Sequence, residues 1–173
     1  MRRMRGPSSR IPAGVAESLG VRRGEKVIAW GIRETPGVQG AQYVVATDRA
    51  LYEQVSGRRI PWHLVSKAAW DEPRLDLVLI DESGAPATPL GLTLAEANDL
   101  PPAVRDRVTD SVVVTERVDL GDGAGALMSA RRGSDDGEIR WSIVFDSGLD
   151  PADPELRRRA SDALVQLRDS LGI

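Results

Sequence analysis

The chain has 173 residues, of which 41% are hydrophobic and 28% charged, and its formal net charge is −3. This composition excludes collagen-like, coiled-coil and wholly disordered proteins and is typical of a globular protein. The chain has no cysteine and a single histidine, His63, which excludes disulfides, iron–sulfur clusters, thiolate zinc sites and a multi-histidine metal site within one chain.

The N-terminal segment Met1–Arg10 is basic, but no apolar signal-peptide core follows it. We interpret it as a solvated tail, with a short anchor for an anionic surface as the alternative. No apolar run approaches the roughly 20 residues that span a bilayer. We therefore expect a cytoplasmic protein with no membrane insertion.

The first half of the chain has the pattern of short strands after one short helix. The segment Ile11–Leu19 predicts a helix with Pro12 at its first position and Gly20 as its cap. Strands are then predicted at 26–33, 41–47, 50–54, 58–62, 66–71, 74–81 and 88–93, with turn residues between them. In the sixth of these, Leu75, Leu77 and Leu79 alternate as in a half-buried strand.

The second half adds one helix, three strands and a longer helix. Valines spaced four apart predict a helix from Pro101 to about Ser111, and a β-branched run predicts a strand over 112–120. Two further strands are predicted over 126–132 and 138–146. An apolar stripe at helical spacing, with Asp153 as the N-cap, predicts a C-terminal helix that ends at Gly172. We expect this helix to cover its own strands, with pairing between two copies as the alternative.

The predicted fold class is α+β. It comprises an antiparallel barrel of about seven strands with a helix, followed by a three-stranded antiparallel sheet and a long helix. The predicted divisions are a tail and short helix over 1–24, the barrel and its helix over 25–111, and the C-terminal extension over 112–173.

The run ATDRALYEQVSGRRIPWHLVSKAAWD, residues 46–71, is similar to the strand pattern of bacterial pleckstrin-homology-like (PH-like) and GRAM-like domains. The matching positions are Thr47, Asp48, Leu51, Arg59, Ile60, Pro61, Trp62 and Trp70. The similar stretch covers about residues 25–93, and the whole chain also resembles small actinobacterial proteins of similar length. The resemblance implies a PH-like barrel that acts as a non-enzymatic binding or scaffolding module, with protein as the natural partner class.

Two other ligand classes are weighed against a protein partner. A phosphoinositide site would need basic residues in the loop 34–40, which has none. The segment RIPAGVAESLGVRRGEKV, residues 10–27, resembles part of AbrB-type transcription factors. Those factors carry a strand before the Ile-Pro pair, here Ile11-Pro12, and this chain offers only MRRMRGPSS. A DNA-binding regulator is thus the alternative function, although the net charge argues against nucleic acid as a partner.

No residue set predicts catalysis, so we expect no enzyme, no cofactor and no catalytic, cofactor-binding or metal-binding residues. Residues that could carry chemistry have simpler interpretations. His63 is interpreted as a turn or surface residue, residues 121–125 as a hairpin loop and residues 135–138 as a solvated hairpin tip. The acids Asp146, Asp150 and Asp153 are interpreted as residues that precede a helix rather than as a calcium loop. Residues 157–159 are interpreted as a solvated helix face. The four tryptophans are predicted to fill or border the core, with a stacking platform as the alternative. Homo-oligomerisation stays open.

Overall fold

A computed structural model describes residues 10–172 of the chain, so all of the predicted tail Met1–Arg10 except its last residue lies outside the described residues. The strands are β1 Val27–Arg33, β2 Gln42–Thr47, β3 Ala50–Glu53, β4 Arg58–Pro61, β5 Val65–Asp71, β6 Arg74–Leu79, β7 Leu90–Glu96, β8 Val112–Gly121, β9 Ala124–Arg132 and β10 Ile139–Phe145. The helices are α1 Val15–Ser18, α2 Leu100–Ser111, α3 Pro154–Leu171 and a 3-10 helix, Trp62–Leu64.

Seven strands form one antiparallel sheet in the order β4-β3-β2-β1-β7-β6-β5. Its two edge strands, β4 and β5, are consecutive in the chain and are joined by the 3-10 helix. Helix α2 contacts β5, the 3-10 helix, β1 and β2, so it covers the gap between the two edges. The remaining strands form a second antiparallel sheet in the order β10-β9-β8. The predicted α+β class, with its seven-stranded and three-stranded sheets and its C-terminal helix, is confirmed.

The core of the seven-stranded sheet follows from the alternation in β6. Leu75, Leu77 and Leu79 are all buried, and they pack with Trp62 and with α2. Helix α2 contributes its inward face to this core through Leu100, Val104 and Val108, at the predicted spacing of four. A glycine in β1 makes room for the end of β7 and the start of the helix, because a Cβ on Gly31 would lie 2.8 Å from the carbonyl oxygen of Glu96 and 3.1 Å from Cδ2 of Leu100.

Helix α3 covers one face of the three-stranded sheet. Leu156, Ala160 and Leu167 pack against Ala126 and Met128 of β9 within the same chain, as predicted. The helix begins where the sequence indicates. The Asp153 side chain accepts hydrogen bonds from the backbone N–H groups of Glu155 and Leu156, and Gly172 ends the helix in the left-handed conformation with φ of 70°.

Helix α2 and strand β8 are continuous, since Ser111 ends the helix and Val112 begins the strand with no loop between them. The buried side chain of Arg131 in β9 reinforces this junction. Its guanidinium donates to the carbonyl oxygen of Val108 (3.2 Å), to Ser111 Oγ (2.8 Å) and to the carbonyl oxygen of Ser66 in β5 (2.8 Å). One side chain therefore ties β9 to both the end of α2 and the start of β5.

Several predicted boundaries are wrong. The predicted helix over Ile11–Leu19 shortens to Val15–Ser18, because Gly14 adopts a left-handed conformation with φ of 81° just before it. Pro12 therefore precedes the helix. The predicted strand 88–93 is instead Leu90–Glu96. Trp62, predicted at the end of a strand, begins the 3-10 helix.

Thr47, rather than Asp48, accepts the local backbone hydrogen bonds in the turn between β2 and β3. The Thr47 hydroxyl oxygen accepts the backbone N–H groups of Arg49 and Ala50. Asp48 Oδ1 instead accepts the N–H of Lys26 at 2.7 Å, so it joins the start of β1 to the turn between β2 and β3.

The segment resembling AbrB-type factors packs against the seven-stranded sheet. Ile11, Val15 and Leu19 pack against the cluster of Val45, Ala50 and Tyr52. The backbone N–H of Arg22 also donates to the Tyr52 hydroxyl at 3.1 Å. The apolar face of this segment is therefore packed against residues of the same chain.

Candidate binding groove

A groove runs between the edge strand β5 and helix α2, and we call it the β5–α2 groove. Its volume is about 890 Å³, and it is lined by Ala68, Trp70, Leu75, Pro101, Pro102, Arg105, Asp106, Arg107, Thr109 and Asp110. Ala68, Trp70 and Leu75 form an apolar floor, and α2 supplies a mixed polar wall. This volume lies within the range of known ligand sites.

The free edge of β5 follows from the strand order. Among residues 10–172, β5 forms ladder pairs with β6 alone, so its other edge has no neighbouring strand. An unpaired edge presents backbone N–H and C=O groups that an extended peptide can pair with. Near the start of the strand, the carbonyl oxygen of Ser66 is already bound by Arg131. The available part of the edge is therefore residues 67–71, beside Trp70.

The sequence of α2 explains the second wall. Pro101 and Pro102 lie in the first turn, where backbone N–H groups need no partner within the helix. Since Leu100, Val104 and Val108 face the core, Pro102, Arg105 and Asp106 face outward into the groove. The sequence thereby orients polar and proline side chains toward the edge of β5.

The charges along the groove are only partly paired. Arg107 Nη2 lies 2.7 Å from Asp110 Oδ2, which forms an ion pair one turn apart on the helix. Within the described part of the chain, no ion pair involves Arg105 or Asp106. The groove therefore offers one cation and one anion for contacts with another molecule.

Trp70 corrects the prediction that all four tryptophans fill or border the core. It is 37% exposed on the groove floor, whereas Trp62 is 2% exposed and donates from Nε1 to the carbonyl oxygen of Thr47 at 3.0 Å. Trp30 packs beside Tyr43, with ring centroids 5.8 Å apart, and Trp141 packs under α3. The exposed indole makes the groove the strongest candidate for a binding surface.

A second groove lies between β10 and α3, and it has a volume of about 640 Å³. Trp141, Ile143, Phe145 and Leu164 give it an apolar lining. The loop that follows β6 closes one side, since a Cβ on Gly84 would lie 2.5 Å from the carbonyl oxygen of Trp141. This loop occupies the adjoining edge of β10, which distinguishes the second groove from the β5–α2 groove.

The predicted solvated hairpin tip, residues 135–138, is wrong in part because Asp135 is docked on the seven-stranded sheet. Arg59 donates from Nη2 to Asp135 Oδ1 (2.7 Å) and from Nη1 to Asp135 Oδ2 (3.0 Å), and it also bonds Glu25 and Tyr52. Burial lowers the pKa of Arg59, but its hydrogen bonds to Asp135, Glu25 and Tyr52 raise that pKa above its ordinary value. The Arg59 hydrogen bond in turn lowers the pKa of Asp135. The network ties the second sheet to the first.

The prediction that His63 is a turn or surface residue is also wrong. Its side chain is only 4% exposed, in the 3-10 helix under the loop between β9 and β10. Nothing local distinguishes it in sequence from an exposed turn residue, because the covering loop comes from a distant part of the chain.

The remaining candidate residues have structural roles. Asp146 pairs with Arg117, Asp150 accepts the backbone N–H of Ala152, and Asp153 caps α3. Arg159 contacts Asp122 and the carbonyl oxygen of Leu120, so the predicted solvated face at 157–159 is partly engaged with β8 and its loop.

Residues 10–172 contain no group of three or more His, Asp or Glu side chains that could hold a metal ion. Over the same residues, no helix combines the length and apolar character needed to cross a bilayer.

Part of the chain is similar to a short stretch of a plant protein. A stretch of 84 residues is 32% identical to the ARF guanine-nucleotide exchange factor GNOM of Arabidopsis thaliana, and it covers 48% of this chain and 6% of that protein. No protein-family model matches the chain, and no solved structure matches it. The chain thus spans only a small part of that protein's length, and the likeness is compatible with a binding or scaffolding module.

Proposed function

We propose that residues 25–111 form a PH-like module that binds an extended segment of a partner protein at the β5–α2 groove. The partner segment pairs with the free edge of β5 and places side chains against Trp70 and the prolines of α2. The single observation that carries the proposal is this unpaired edge beside an exposed indole. Seven antiparallel strands followed by a helix support the PH-like assignment, which rests on the resemblance of residues 46–71.

The proposed activity is binding without catalysis. Backbone pairing along an edge strand supplies affinity, and pockets for alternate side chains supply selectivity. Arg105 and Asp106 are the charged groups available to select a partner segment of opposite charge pattern. The same proposal assigns the protein to the cytoplasm, which its lack of cysteine supports.

The test selects peptides from a random 12-residue display library on the full chain and measures their affinity by fluorescence anisotropy. We expect Trp70→Ser and Arg105→Glu each to weaken binding by at least about tenfold, as substitutions at central contacts do. Val78→Ser is the matched control, because Val78 is 47% exposed on the adjacent strand β6 and does not line the groove. Selected peptides that bind all three variants equally, or a library that yields none, would contradict the proposal.

A further inference from the structure

The imidazole of His63 lies at the junction of the two sheets and is bound there through one nitrogen. The backbone N–H of Ser134, in the β9–β10 loop, points at His63 Nδ1 with an N···N distance of 3.4 Å. A backbone N–H can only donate, so Nδ1 acts as the acceptor and the neutral ring carries its proton on Nε2. Nε2 is itself buried, and none of residues 10–172 places a partner within hydrogen-bond distance of it.

Three charged groups face the imidazole from the elements packed around it. Glu82, in the loop after β6, lies with Oε2 3.6 Å from Nε2. Asp136 of the hairpin loop and Arg140 of β10 are the other two. Arg140 forms ion pairs with both carboxylates, since its Nε lies 3.1 Å from Oε2 of Glu82 and its Nη2 lies 2.7 Å from Oδ2 of Asp136.

This arrangement disfavours the charged ring. Burial lowers the pKa of His63 and outweighs the nearby carboxylate of Glu82, which raises it; Arg140 lowers it as well, and Asp136 raises it. The side chain of Glu82 is 64% exposed and is already paired with Arg140, so it offsets only part of the cost of burying an imidazolium.

We propose that His63 is a proton-sensitive latch that holds Ser134 of the hairpin tip, residues 133–137, against the 3-10 helix, beside the separate ion pair of Arg59 with Asp135. In the neutral state Nδ1 accepts the Ser134 N–H and Ser134 stays docked. Protonation places a hydrogen on Nδ1, so two donors then face each other and the backbone at Ser134 detaches, while Asp135 stays paired with Arg59. The detached backbone lies beside a small cavity of about 230 Å³ that Gly133 and Ser134 line together with Trp62 and Ser111.

The direction of the pH effect follows from linkage. The docked state binds the proton less tightly than the detached state, in which His63 is solvated with an ordinary pKa of about 6.5. Docking is therefore fully favoured above that value and weakens as the pH falls below it, until the lower pKa of the docked state is passed. At pH 5.0 the detached population rises by up to about 30-fold relative to pH 7.5.

The test measures amide hydrogen exchange of the full chain at pH 7.5 and 5.0, corrected for the chemical exchange rate. We expect the protection factor of Ser134 to fall by up to about 30-fold in the wild type. Gly133 and Gly137 are internal controls, because their N–H groups bond to the carbonyl oxygens of Glu138 and Gly133 within the hairpin itself. Protection at these two should fall far less.

The matched variant is His63→Asn, whose amide oxygen can accept the Ser134 N–H but does not titrate. We expect its Ser134 protection to be independent of pH. A fall of the same size in both proteins would overturn the latch. A second measurement on the wild type alone follows the His63 ring and the Ser134 amide by NMR through the same pH range. The proposal requires both signals to change with one midpoint below about 6.5, and a Ser134 signal that ignores the His63 transition would overturn it.

Discussion

Trp62 begins the 3-10 helix just before β5 and Trp70 lies near the end of that strand, and their environments assign them opposite roles. Trp62 closes the core beneath α2 and satisfies its only polar atom by donating to the carbonyl oxygen of Thr47. Trp70 leaves part of its ring in the β5–α2 groove. The first indole therefore stabilises the fold, whereas the second is available to a partner.

Replacing Trp62 by alanine should lower the free energy of unfolding by about 3–5 kcal/mol, because it leaves a large cavity and removes the hydrogen bond to the carbonyl oxygen of Thr47. Trp70→Ala is the matched control, and the smaller area that Trp70 buries should make its loss clearly smaller. Urea denaturation of both variants measures the difference. Equal midpoints for the two would contradict these assignments.

Single residues show which structural features can be predicted from their neighbours in the sequence. The Asp153 cap and the Leu75–Leu79 alternation could be predicted, because capping and strand alternation depend on neighbours in the chain. The burial of His63 and the docking of Asp135 on Arg59 could not, because each depends on a partner more than 70 positions away. Such contacts are set by the fold as a whole.

Among the elements, α3 depends most visibly on its first residue. Asp153→Ala removes the acceptor for two backbone N–H groups and should cost about 0.5–2 kcal/mol of unfolding free energy. Asp150→Ala is the control, because Asp150 accepts one local N–H before the helix begins. Thermal unfolding followed by circular dichroism compares the two. If Asp150→Ala lowered the midpoint as much as Asp153→Ala, the cap would not be the cause.

The sequence predicts element boundaries best where the spacing of apolar residues changes at the same point as the preference for helix or strand. The α2–β8 junction at Ser111 and Val112 was expected from the switch to β-branched residues, and it lies there. The N-terminal helix was overextended, because Pro12 resembles a helix start while the left-handed Gly14 delays it. The groove itself could not be predicted from the sequence, since it lies between the free edge of β5 and helix α2, which only the tertiary fold brings together.

For the molecule as a whole, the second sheet depends on α3 for its cover. A chain stopped after Asp153 would expose the apolar face that contains Leu120, Ala126 and Met128. We expect loss of soluble expression or aggregation, as exposed apolar patches of this kind cause. A chain stopped after Ser170 is the control, because it keeps all the core residues of α3. Size-exclusion chromatography of both compares them, and a soluble, cooperatively folded protein truncated after Asp153 would contradict the role of α3.

Because α2 passes into β8 without a loop, the wall of the β5–α2 groove and the frame of the second sheet are one continuous piece of backbone. Arg131 clamps that piece to β5 at the carbonyl oxygen of Ser66. Moving α2 away from β5 therefore requires breaking the hydrogen bonds by which Arg131 joins the end of the helix to that strand. The width of the β5–α2 groove is thus fixed by a residue of the second sheet and not by the groove's own lining.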